Sequence, residues 1–63
     1  MAKITKIRDD EIYLVETEKL KNDDGIWLWI TEKEKYATTN VHLEKEHIKN
    51  LMHNLIDTIS EDE

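Results

Sequence analysis

Two periodicities divide this chain. Ile48, Leu51, Met52, Leu55, Ile56 and Ile59 recur at i, i+3, i+4, i+7, i+8 and i+11. That is an unbroken apolar stripe of helical period, and it predicts an amphipathic helix over 44–60. Glu44 reads as its N-cap, with Leu43 and Ile48 at the two positions of a hydrophobic staple. Upstream the apolar runs are short and bounded by turn residues, as strands are. Four strands are predicted, over 2–8, 12–18, 26–32 and 36–43. In the first, Ile4 and Ile7 do not share a period-2 face, which points to a β-bulge. Arg8-Asp9-Asp10-Glu11 forms the first turn, 19–25 with its Asp24-Gly25 pair the second, and the charged 32–35 stretch the third. Short connections favour an antiparallel meander. The expected fold is α+β, a four-stranded antiparallel ββββα meander (βββα as the variant) with the helix packed on one sheet face. An acidic tail, 61–63, follows the helix.

The apolar pattern of two strands is unusual. Ile26-Trp27-Leu28-Trp29-Ile30 is apolar at every position, and so is Ile12-Tyr13-Leu14-Val15. A sheet with one solvated face alternates apolar with polar residues. These strands are apolar on both faces, and one helix covers one face. Side-chain chemistry suggests an aliphatic set for the helix: Ile12, Leu14, Ile26, Leu28, Ile30, Val41 and Leu43. Trp27, Trp29, Tyr13 and Val15 then form the opposite face. Such an aromatic patch is on the order of 500 Å², large for a monomer and typical of a contact surface. These four residues are the candidate partner-binding site.

Composition narrows the options further. At 63 residues the chain is expected to be one domain of marginal stability. It has no cysteine to supply a disulfide or a thiolate metal site, so oligomerisation, a homodimer above all, is the expected support. No apolar run is long enough to span a membrane, and the N-terminal Met-Ala-Lys-Ile-Thr-Lys has no signal-like apolar segment. A cytoplasmic location is the expectation. Fifteen acids against 9 bases give a net charge of −6. That opposes direct nucleic-acid binding, which needs a cationic footprint, even where aromatic residues offer stacking surfaces. In a meander the first and third connections share one end. Asp9, Asp10, Glu11, Glu32 and Glu34 should therefore gather in an acidic pole, joined by Glu61, Asp62 and Glu63 if the helix runs back to it.

No catalytic motif is present. His47 and His53 lie about 240° apart around the helix and do not converge on one ion. His53 and Asp57 are spaced i, i+4 and suit an ordinary surface pair. One glycine excludes a phosphate-cradling glycine-rich loop, and no nucleophile is tied to a visible base. No cofactor, no metal and no enzymatic activity are expected. The sequence suits a small acidic module that modulates or inhibits a protein partner through its aromatic face. A phage- or mobile-element-encoded inhibitor of a host enzyme or defence complex is one such protein by general type. The alternatives are a structural homodimer without another client and an acidic nucleic-acid mimic occupying a basic groove.

Overall fold

The computed structural model describes residues 2–61, residue 61 in backbone only. Strands β1 (Ala2–Asp9), β2 (Tyr13–Leu20), β3 (Ile26–Glu32) and β4 (Ala37–Leu43) form one antiparallel sheet in sequence order. A short 3₁₀ turn (Lys33–Lys35) joins β3 to β4, and helix α1 (Lys45–Glu61) follows. This is the expected ββββα meander.

Local chemistry explains the turns. Asp10 Oδ1 accepts the backbone N–H groups of Ile12 and Tyr13, both at 2.8 Å, and so closes the β1–β2 turn as an Asx cap. Asp23 Oδ1 does the same for the Gly25 N–H at 2.9 Å before β3 begins. Gly25 is required there by proximity, since a Cβ at this position would overlap the carbonyl oxygen of Leu43 on β4.

The expected bulge lies in β1. Lys6 pairs with Glu16 and Arg8 with Val15, so Ile7 is the extra residue. An inserted residue turns the following side chains to the other face. Arg8 is thereby brought to the same side as Tyr13, and its guanidinium lies 5.0 Å from the ring centroid.

The helix starts where the sequence places it. The Glu44 carbonyl accepts the Ile48 N–H at 3.0 Å, which makes Glu44 the N-cap. The Glu44 N–H donates to His47 Nδ1 at 3.1 Å, a capping box with imidazole in place of the usual carboxylate.

The packing differs from expectation in one respect. The helix does not cover a sheet face; its main contact with the sheet is to β4, the strand it directly continues. Its stripe is in solvent, with Ile56 54% and Ile59 67% exposed. The reason is the connection. Glu44 alone separates β4 from α1, whereas a chain turning between strand and helix ordinarily uses about 2–6 residues. Among the described residues only Gly25 is buried, and no hydrophobic core is enclosed. The shape is correspondingly flat, 34 × 33 × 16 Å, with a radius of gyration of 13.3 Å where a compact chain of this length has about 11 Å.

Candidate functional site

Directly opposed residues in an antiparallel pair share a face, so the pairing assigns each paired strand residue to a side. Tyr13 pairs with Glu32, Val15 with Ile30 and Thr17 with Leu28. Leu28 pairs in turn with Val41, and Ile26 with Leu43. One face therefore carries Tyr13, Val15, Ile26, Leu28, Ile30, Val41 and Leu43. Leu14 pairs with Thr31 and belongs to the other side, with the tryptophans. Tyr13 and Val15 are thus not part of the tryptophan face, and Leu14 is not part of the aliphatic one. Ile12 precedes β2 and is exposed; its carbonyl accepts the Lys33 N–H at 2.9 Å.

Two cross-strand rows of the other face contain the tryptophans. Ile4, Glu18, Trp27 and His42 form one; Lys6, Glu16, Trp29 and Asn40 form the other. Both tryptophans are half-buried. Trp29 Nε1 donates to Glu18 Oε1 at 3.2 Å, which fixes the indole and aims its polar edge at the carboxylate. Trp27 lies against the His42 ring, with centroids 5.0 Å apart and planes at 57°. His42 is held from the far side by Asp23, whose Oδ2 lies 2.8 Å from Nε2. The Gly25 N–H and, after it, His42 hold the Asp23 carboxyl below its usual range. Glu16 and Glu18 thus stand directly beside Trp29 and Trp27, with Asp23 behind His42, and carboxylates next to indoles suit a cationic group.

At the opposite end, the first and third connections do meet. Lys33 Nζ lies 2.8 Å from Asp9 Oδ1, and Lys6 Nζ lies 3.3 Å from Asp9 Oδ2. Arg8 pairs with Asp10, and Lys35 with Glu32 at 3.4 Å. The antiparallel order puts the turn of Asp9, Asp10 and Glu11 and the turn of Glu32 and Glu34 at one end of the sheet, and Lys6, Arg8, Lys33 and Lys35 pair there with Asp9, Asp10 and Glu32. The Tyr13 N–H, then Arg8 and the Ile12 N–H, draw the Asp10 carboxyl down to about 2. Asp9 is likewise lowered, by Lys33 first and Lys6 second. Asp10 serves its turn, and the four bases nearly offset the five acids of this end. Asp62 and Glu63 lie outside the described residues.

Tyr36 is a residue the strand pattern does not single out. It ends the 3₁₀ turn in the left-handed region, at φ 50° and ψ 36°, and its side chain is 93% exposed. That conformation costs a non-glycine residue about 1–2 kcal/mol. Tyr36→Gly is expected to stabilise the fold by about 1 kcal/mol, raising the thermal midpoint by roughly 5 °C in a circular-dichroism melt. An unchanged or lower midpoint would show that the exposed ring contributes to the fold.

No helix among the described residues is long and apolar enough to cross a membrane. Comparison with protein-family models, curated proteins and solved structures finds no match, and the geometry alone carries the functional reading.

Proposed function

We propose that the chain is a non-enzymatic protein-binding module whose tryptophan face seats a basic segment of a partner protein. The observation that supports this reading is the pair of half-buried indoles, Trp27 and Trp29, flanked by Glu16 and Glu18. A lysine or arginine side chain gains from the indole face and the carboxylate together, and each alone is weaker. Tryptophan is also among the residues that dominate interface energies. Occupying a basic surface of an enzyme or defence complex would modulate or inhibit it, the role proposed for this module.

The nucleic-acid mimic is the weaker alternative, because Asp9, Asp10 and Glu32 at the turn end are engaged by neighbouring bases. Tryptophan fluorescence provides the test, with short arginine-rich and glutamate-rich peptides as probes. The arginine-rich peptide should quench or shift the emission, and the glutamate-rich peptide should not. Glu16→Gln/Glu18→Gln should weaken binding about tenfold, corresponding to about 1.4 kcal/mol, and added salt should weaken it further. Equal responses to both peptides would sink the proposal.

A further inference from the structure

The chain holds two aliphatic surfaces that fit each other chemically and are not joined. One is the sheet face of Val15, Ile26, Leu28, Ile30, Val41 and Leu43, where Ile30 is 38% and Val41 47% exposed. The other is the stripe of α1, exposed from Leu51 to Ile59. Each supplies what the other lacks, and the single-residue connection at Glu44 keeps them apart within one chain. We propose that two copies exchange these helices, α1 of each lying on the aliphatic sheet face of the other.

Three further observations select a second copy as the occupant. The first is area. The chain exposes 5532 Å², whereas a folded monomer of this mass exposes about 4,300 Å². The excess, roughly 1,200 Å² a chain and about 2,500 Å² for a pair, falls in the size class of obligate dimers. The second is stoichiometry. One partner copy provides both a stripe for the bare face and a face for the bare stripe, and a two-fold axis repeats the contact once and closes it. The third is that the described residues enclose no core, which a chain of this length without disulfides ordinarily obtains by association. Short connections of this kind are where exchange of an element between protomers arises. The polar side of α1, with Glu46, Asn50, His53 and Asp57, stays in solvent in such a pair. The exchange uses the face opposite to Trp27 and Trp29, so it stands or falls independently of peptide binding there.

The chain has no cysteine, which makes the arrangement readable by cross-linking. Thr39→Cys places a thiol on the aliphatic face, and Ile56→Cys places one on the stripe. The two variants are mixed, equilibrated and treated with a short bismaleimide. The expected product is a covalent pair containing one chain of each variant, and the untreated wild-type protein should sediment at twice its 7.6 kDa chain mass. A wild-type monomer, or a dimer whose mixed variants give no 39–56 product, overturns the proposal. A second variant inserts a flexible Gly-Ser segment of about six residues after Glu44, enough for the helix to turn back on its own sheet. It should sediment as a monomer, and its Thr39→Cys/Ile56→Cys form should cross-link within one chain. Dimerisation as tight as wild type would overturn the role assigned to the connection.

Discussion

A roughly hundredfold increase in protein concentration is expected to raise the thermal unfolding midpoint by on the order of 10 °C. The cause is the aliphatic surface left exposed in one chain. If folding and pairing are one event, unfolding releases two chains, and mass action favours the folded pair as concentration rises. A hundredfold change is worth about 2.7 kcal/mol at room temperature. Divided by the unfolding entropy of two chains of this length, about 0.27 kcal/mol/K, that gives a shift of about 10 °C. Calorimetry or far-ultraviolet circular dichroism at the two concentrations measures it directly. A midpoint independent of concentration would mean that the flat sheet and its exposed helix stand alone, and would leave their stability without a source.

Gly25→Ala is expected to lower that midpoint by roughly 10 °C. Its backbone is not in the left-handed region, so the loss does not come from conformational freedom. It comes from space. The added methyl would meet the Leu43 carbonyl oxygen, with the His42 ring atoms Cε1 and Nε2 at 3.0 Å. A backbone oxygen does not rotate away as a side chain does. The entry of β3 and the exit of β4 must separate, at an overpacking cost of about 1–3 kcal/mol. Leu43 immediately precedes Glu44, so the same displacement disturbs the root of α1. Asp24→Ala, at the exposed neighbouring position, serves as the control and should melt close to wild type. Equal midpoints for the two variants would show that β3 and β4 yield at this point without penalty.

The element order was legible because each element has its own signature. The stripe from Ile48 to Ile59 has helical period, the Arg8–Glu11 and Asp24-Gly25 signals mark turns that the carboxylates of Asp10 and Asp23 then build, and the phase break between Ile4 and Ile7 signals the bulge found at Ile7. The faces were less legible. Pairing Tyr13 with Glu32 rather than with an odd-numbered residue of β3 depends on how many residues the Leu20–Ile26 turn absorbs. A change of one residue moves a whole strand's side chains across the sheet. Strands apolar on both sides carry no internal mark of which side is which. Chemistry grouped Tyr13 with the tryptophans, and backbone pairing set it beside Arg8, Val15 and Ile30 instead.

Trp27 and Trp29 needed no such information relative to each other, since residues two apart on a strand always share a face. Their surroundings did. Glu16 and Glu18 flank the indoles only because the β2–β3 pairing has this phase, and His42 reaches Trp27 only through the β3–β4 pairing. The failure of α1 to cover the sheet was written in the spacing between Leu43 and Ile48. The apolar stripe starts so soon after β4 that one residue is left for a turn.

The bulge at Ile7 has a consequence for the sheet as a whole. An open sheet has two outer strands, here β1 and β4, and a sheet able to add strands at both can grow into a filament. Residues Ala37 to Val41 of β4 carry no charge, whereas β1 is interrupted at Ile7 and bears Lys3, Lys6 and Arg8. Interrupted, lysine-bearing edges resist further strand addition. Only one side of the sheet is then open to growth, and addition there ends after a single step. The inserted residue and the bases of β1 together disfavour polymerisation, in a chain that has no proline to do it.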